Sequence, residues 1–387
     1  MKIVEDKDIV IVGGGICGLA TALALHRKGK KSMVLERSET LRATGVGIIM
    51  QPNGWRALDH LGVASKLRQT SIAVPSGHFI SVDDGKRHDL SLGKGELRCL
   101  KRMDLVEALA EPLPANTVHF GCHVMSIKLD PITSYPILKL QDGSIIKAKV
   151  VIGCDGVNSI ISKFLDVDAP KLFSRCATRG FTWYERGHDF GNKFHIYGKD
   201  DVQLGQLPIT NNLVYWFLTR TLTSQDSGSS KKDPTFIKET SLEALKGFPE
   251  EVMEMINNSE AKSLYLTELR YHRPWEMVRA EFRRGRVAVA GDAMHTMCPF
   301  ISQGGGTSLE DAVVLARCLS NANDPQNALH LYVKERRMRV FWLSLQTYLI
   351  GLTVDSTSKL KKVLGNIILF LIFGGQNSHT DYDCGRL

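Results

Sequence analysis

Asp8-Ile9-Val10-Ile11-Val12-Gly13-Gly14-Gly15-Ile16-Cys17-Gly18 decides how this chain folds. The apolar run Ile9–Val12 has the length and composition of a buried strand, and Leu19–Leu25 continues as a helical pattern. Between them, Gly13-x-Gly15-x-x-Gly18 forms a tight turn in which each glycine has its own reason. One makes the turn, one lets the backbone approach phosphates, and one lets helix and strand pack closely. Strand, turn and helix in that order lay a dinucleotide pyrophosphate on a helix N-terminus. A second strand, Ser32–Glu36, follows after one helix length, and Glu36 ends it 23 residues beyond Gly13. A carboxylate there accepts hydrogen bonds from ribose hydroxyls and repels a 2′-phosphate. The adenosine of FAD or NAD is thereby favoured over that of NADP.

Composition narrows the classes further. The chain has 387 residues, more than one ordinary domain, and its 43% hydrophobic content suffices for sizeable cores. Its 34 glycines exceed the average share and suit a nucleotide-binding chain with many turns. The net charge is +8, yet basic residues are scattered apart from Lys28-x-Lys30-Lys31, Arg283-Arg284-x-Arg286 and Arg336-Arg337-x-Arg339. No aromatic-rich basic groove accompanies them, which speaks against nucleic acid as a partner. A mild positive field favours anionic substrates or cofactors instead. The eight cysteines (17, 99, 122, 154, 176, 298, 318 and 384) contain no Cys-x-x-Cys pair, and Cys17 sits inside the nucleotide turn. They read as free thiols in a reducing compartment, with neither a disulfide framework nor a metal site. The first strand begins within about eight residues of the start, without a signal or transit peptide, so the expected location is cytoplasmic. No stretch reaches the ~20 residues of a membrane span. The nearest, Ile367–Phe373, is expected to form a helix buried against the body, with weak membrane contact or a dimer surface as alternatives.

Along the chain, Arg42-Ala43-Thr44-Gly45-Val46-Gly47-Ile48 is a glycine-bearing loop, and Pro52-Asn53-Gly54 starts a short helix closed by Gly62. Residues 72–100 alternate like strands, and Arg102 opens another helix. Strands follow near Val118–Phe120, His123–Leu129 and Ile137–Leu140, with Asp142-Gly143 as a hairpin turn. Lys149–Gly153 is a second buried strand and runs into Cys154-Asp155-Gly156. From about 172 to 220 the pattern becomes aromatic and alternating, in Phe181–Tyr184, Phe194–Tyr197 and Leu213–Leu218. This predicts a separate antiparallel sheet. Helices are expected near 236–246 and 249–257, a third short buried strand over Arg286–Ala290, and long helices over 304–320 and 326–349.

Three strand ends share one design: Gly13–Gly18, Asp155-Gly156 and Gly291-Asp292. The third continues through Ala293-Met294-His295 to Pro299 and Gln303-Gly304-Gly305-Gly306. A carboxylate just after a buried strand can accept from ribityl hydroxyls. A glycine-rich helix start offers N–H groups to a flavin edge that gains charge on reduction. Three such motifs in order resemble the single-component FAD-dependent aromatic hydroxylases of the para-hydroxybenzoate and salicylate hydroxylase type. The tail Asp381-Tyr382-Asp383-Cys384-Gly385 resembles the plant salicylate-hydroxylase-like branch.

The resemblance implies an α/β (α+β) architecture with a Rossmann-like FAD-binding domain on a parallel sheet (residues 1–70, 98–171 and 275–325). An antiparallel-sheet substrate domain (71–97 and 172–274) and a C-terminal helical segment (326–387) complete it. It also implies roles. Gly13, Gly15 and Gly18 hold the FAD pyrophosphate, Glu36 binds the adenosine ribose with Arg37 beside it, and Val124 meets adenine through its backbone. Arg42 lies near the flavin, and Arg102 reaches the phosphate or ribityl region. Asp155 and Gly156 serve FAD and NAD(P)H binding, Asp292 holds the ribityl chain, and Pro299 with Gly304, Gly305 and Gly306 lines the isoalloxazine.

The implied function is an FAD-dependent monooxygenase, monomeric or homodimeric. It uses NADH or NADPH and O₂ to hydroxylate a phenolic or related aromatic small molecule through a flavin hydroperoxide. His195, Tyr197, Tyr215 and Trp216 on the aromatic strands are candidates for the substrate roof, their faces undecided by alternation; His295 is a candidate beside Asp292. No residue is assigned as catalytic base. One departure stands out: the family has Gly-Gln-Gly where this chain has Ser302-Gln303-Gly304. The extra Cβ and hydroxyl near the oxygen-reacting face leave open a flavin-dependent oxidase or dehydrogenase of a plant metabolite, with a non-catalytic flavoprotein as a third reading.

Overall fold

In the computed structural model, the apolar run at the start of the chain lies inside an eight-stranded mixed sheet as the strand Ile3–Val12. The structure describes residues 3–41, 47–226, 228, 233–356, 358–373 and 378–387, so Arg42 lies outside the described residues. Ile3–Val12 pairs in parallel with Ile145–Gly153 on one side and Met33–Leu35 on the other. Val287–Val289 joins Ile145–Gly153 in the same direction. Val10, Ile11, Val151 and Ile152 are fully buried because helices cover both faces, which is where a parallel sheet of β-branched residues is stable. The helix Ile16–Arg27, buried from Ile16 to Leu25, packs against the helix Gly304–Asn321.

Parallel pairing has a direct consequence. Val12, Leu35, Gly153 and Val289 all end at the same edge of the sheet, so the loops that follow them share one crevice. Open α/β sheets bind ligands at that edge.

The aromatic region forms a second sheet of seven strands, in the order Tyr265–Tyr271, Lys171–Trp183, Leu213–Thr221, Val202–Pro208, Lys193–Lys199, Ser76–Ser81 and Arg87–Leu90. All its pairs are antiparallel except Ser76–Ser81 with Lys193–Lys199. One face buries Tyr197, Leu204, Trp216 and Leu218 against the helices Pro234–Ala244 and Glu250–Asn257. The other buries Phe194, Leu207 and Tyr215, with Ile196 and Phe217 partly buried beside them, against the ladder of Gly47–Met50 and Arg98–Lys101. Gly205 makes room on this second face, since a Cβ there would collide with the Phe217 ring.

The register removes three of the four candidates for the substrate roof. His195 and Tyr197 lie on the helix-covered face, as does Trp216, because Phe194 and Ile196 take the opposite parity. Only Tyr215 of these four turns toward the crevice. The helices expected over 304–320 and 326–349 span Gly304–Asn321 and Pro325–Asp355. The C-terminal apolar run is also corrected. It lies in the helix Lys359–Phe373, and of its residues 367–373 only Leu369 is buried, whereas Phe370 and Leu371 are 68% and 74% exposed. Among the described residues, no helix is long and apolar enough to cross a membrane.

Candidate flavin and substrate site

One cavity of about 610 Å³ runs from the edge of the parallel sheet to the inner face of the seven-stranded sheet. Its first half is built by the three strand ends. Gly13 has φ +104°, and a Cβ there or on Gly18 would strike backbone of the same turn or of Cys154. Gly15 differs: its Cβ direction meets nothing within 4 Å, and it caps the helix Ile16–Arg27 without any side-chain hydrogen bond. An uncapped helix start facing open space is a ready anion site. Glu36 is buried; its Oε2 accepts from the Gly14 N–H at 2.7 Å and its Oε1 from the Ser38 N–H at 2.8 Å. Glu36 also lines the cavity, where a carboxylate can accept from ribose hydroxyls. The carboxylate therefore shapes the glycine loop as well as lining the cavity.

Arg37, Arg102, Val124, Asp155 and Gly156 line the same half. Asp155 has a second task. Its Oδ2 accepts from the Ile160 N–H at 2.7 Å, and Ser159 Oγ donates to its Oδ1, so it caps the short helix Ile160–Phe164. Burial raises its pKa, although those hydrogen bonds oppose the shift.

At the third strand end, Gly291 takes φ +62° and turns the chain into the helix Asp292–His295. The Asp292 side chain is exposed to the cavity, and no donor among the described residues reaches its carboxylate oxygens. Gly304, opening its helix, lies across from it; a Cβ there would sit 3.9 Å from Asp292 Oδ1. Pro299, Ser302, Gly304 and Gly305 line the cavity, whereas Gly306 lies behind them against Asn53. An uncapped helix start, two glycines with nothing beside them (Gly15 and Gly156) and an unpartnered carboxylate along one crevice fit an extended dinucleotide.

Beneath this loop lies a buried ionic knot that sequence reasoning missed. Gly291 N–H donates to Asp311 Oδ2 at 2.9 Å, and His295 Nε2 donates to the same oxygen at 2.6 Å. Arg336 Nε donates to Asp311 Oδ1 and its Nη2 to Glu310 Oε2, both at 2.7 Å. Asn53 Nδ2 bridges Glu310 Oε1 and Gln303 Oε1, at 2.6 and 2.7 Å. His295, Glu310, Asp311 and Arg336 are fully buried. Burial alone would raise the Asp311 carboxyl, but His295 and Arg336 outweigh it and hold it at about 2. His295 thus braces the strand end rather than facing substrate. The available signal was Glu310-Asp311 set inside the apolar run Leu309–Ala316.

The second half of the cavity is walled by Ala177, Arg179, Phe194, Ile196, Gln203, Tyr215, Phe217 and Thr219 from the antiparallel sheet. Sequence reasoning found only Tyr215 among these. Its phenol is pushed up by burial, which Arg179 beside it only partly offsets, so it stays protonated and neutral. The misplaced candidates are occupied elsewhere. His195 stacks on His78 with ring centroids 5.5 Å apart, and burial, with His78, lowers its pKa to about 4. Tyr197 donates to Glu251 Oε1 at 3.1 Å.

Together these features define a dinucleotide-binding protein with an aromatic-walled cavity beside the cofactor trough. Comparison with known proteins agrees. The family described as FAD binding domain matches residues 6–346. Monooxygenase 1 of Arabidopsis thaliana is 46% identical over 399 residues, covering 99% of this chain and 100% of the relative. Monooxygenase 2 of the same plant is 36% identical over 413 residues, covering 99% and 98%. The fold is shared with Klebsiella pneumoniae HpxO, solved with FAD and uric acid, at a TM-score of 0.84 and 21% identity over 98% of each chain. The chain belongs to the FAD binding domain family and is an FAD-dependent monooxygenase of the aromatic-hydroxylase type.

Two predictions follow from this geometry. Asp311 has a folded pKa below its ordinary value of about 3.9, so it stabilises the fold above that pH and ceases to as pH falls toward 2. The stability gap between wild type and Asp311→Asn in urea titrations should shrink by about 2 kcal/mol between about pH 4 and pH 2. Ser302 holds φ +53°, a left-handed conformation that disfavours a side chain. Ser302→Gly should raise stability by about 1 kcal/mol, read as a higher melting temperature of the FAD-loaded protein.

Proposed function

We propose that this monooxygenase uses NADH or NADPH and O₂ to hydroxylate a phenolic or related aromatic small molecule. The observation that carries this reading is the continuity of the cavity: the loop Pro299–Ser302, the start of the helix Gly304–Asn321 and the aromatic wall line one and the same space. A flavin ring laid on that loop would meet a planar substrate held by Phe194, Ile196, Tyr215 and Phe217. When bound, FAD takes up two electrons from the nicotinamide donor and activates O₂, so that one oxygen atom enters the ring and the other leaves as water.

The chain's own residues then divide the work. Gly13, Gly15 and Gly18, with the start of Ile16–Arg27, receive the pyrophosphate. Glu36 receives the ribose, with Arg37 at its edge. Val124 meets adenine, Arg102 and Asp155-Gly156 flank the phosphates, and Asp292 takes the ribityl chain. Pro299 and Gly304 to Gly306 support the flavin ring, Gly306 from behind. In this reading, two discontinuous domains, 1–70 with 98–171 and 275–325, and 71–97 with 172–274, meet at the cavity, and 326–387 buttresses the first.

The apolar wall excludes water from the reacting atoms. Arg179 is the one cation on this wall among the described residues, and its Nη1 donates to Thr267 Oγ1 at 3.0 Å. Its charge suits a phenolate or ring carboxylate, while neutral Tyr215 is a hydrogen-bonding group rather than a base. Oxidase chemistry is the second reading, and Ser302 favours it by placing a hydroxyl on the cavity wall beside the flavin loop.

Turnover under ¹⁸O₂ distinguishes the two. One labelled atom in the product is expected; unlabelled product with hydrogen peroxide would establish the oxidase reading instead. Asp292→Ala should weaken FAD binding at least about tenfold by calorimetry, and Gly15→Val should leave the purified protein colourless. Arg179→Met should raise KM for an anionic aromatic substrate about tenfold or more, with little change for a neutral phenol.

A further inference from the structure

The helix Lys359–Phe373 presents a face that nothing in the described fold covers. It packs on Pro325–Asp355 through buried Leu369, through Gly365, whose missing Cβ admits Thr353, and through Phe373, whose ring meets Trp342 edge-on at 6.2 Å. The opposite side is apolar. Leu360, Val363, Leu364, Ile367, Ile368 and Leu371 fall at i, i+3, i+4, i+7, i+8 and i+11, the spacing of one helix face. Each of the six is between 44% and 74% exposed. Trp342, itself 46% exposed, extends the patch onto the preceding helix. Monomers rarely leave so continuous an apolar surface in water.

Charge and length select the occupant. From Ser356 to Thr380 the sequence holds no Asp or Glu, and Lys359, Lys361 and Lys362 all fall in the first turn of the helix. A second copy docked on this face would bring like charges together, whereas an anionic lipid surface is complementary to them and to the net charge of +8. The 15 residues extend about 22 Å, short of the ~30 Å hydrocarbon core. We propose that this helix lies in the plane of an anionic membrane surface, its aliphatic stripe among the acyl chains and its lysines at the headgroup phosphates. The proposal is independent of the substrate assignment.

The test is vesicle flotation of the FAD-loaded full chain. Phosphatidylcholine vesicles with about 30% phosphatidylserine should bind it at least about tenfold more tightly than phosphatidylcholine alone, and high salt should reduce the preference. Ile367→Glu with Leu371→Glu should abolish flotation while flavin content and NAD(P)H oxidation stay unchanged. Lys361→Gln with Lys362→Gln, which leaves the stripe intact, should remove only the preference for phosphatidylserine. Equal recovery with both lipids, or wild-type flotation of the glutamate variant, would overturn the proposal. So would a concentration-dependent dimer in sedimentation that the glutamate variant dissolves while no vesicle binds the wild type; the face would then belong to a second copy.

Discussion

Parallel pairing about Ile3–Val12 is the constraint on which the rest of this molecule depends. Because Met33–Leu35, Ile145–Gly153 and Val287–Val289 run in the same direction, their chain ends meet at one edge. Sequence segments separated by more than a hundred residues thus become neighbours along a single crevice. The glycines at that edge act in opposite ways. Gly13 and Gly18 have no room for a side chain, while Gly15 and Gly156 keep space open beside the backbone. The first pair closes the protein on itself, and the second leaves a trough for a cofactor.

Below the trough, the polar knot around Asp311 converts loop position into buried electrostatics. Two carboxylates, Glu310 and Asp311, lie between Arg336, Arg339 and His295, with both Arg336 and His295 fully buried. Breaking such a cluster on one side typically costs about 3–5 kcal/mol, because the remaining charge has no solvent. The C-terminal tail completes the arrangement. Tyr382 lies 4.3 Å beneath the Arg339 guanidinium, and Arg56 donates to the Thr380 carbonyl at 3.1 Å. His379 Nε2 lies 3.3 Å from Gln51 Oε1, and Gln303 Nε2 donates to that same oxygen. The tail and the loop that carries Ser302 therefore meet at Gln51.

The parallel sheet was legible in the sequence because its signals are local: an apolar run, then glycine, then a helical pattern. The second sheet was legible as strands, but its faces were not. Alternation says that His195 and Ile196 oppose each other without saying which faces the cavity, and only packing against Pro234–Ala244 and Glu250–Asn257 decides it. The knot was illegible for another reason. Asp311 and Arg336 stand 25 residues apart on separate helices, and a charge on a helix ordinarily faces water. Ile367–Phe373 misled in the converse way, since an apolar segment has the same composition whether it faces a core or the outside.

The order of the strands also sets when the molecule can be completed during synthesis. Ile3–Val12 leaves the ribosome well before its partner Ile145–Gly153, which comes more than a hundred residues later, and Val287–Val289 follows later still. Until then Ile3–Val12 is paired on one side only, by Met33–Leu35, and its other edge stays open. Non-local pairing of this kind slows folding and lengthens exposure to aggregation. A chaperone's opportunity therefore lasts until Val287–Val289 has been made and the sheet can close.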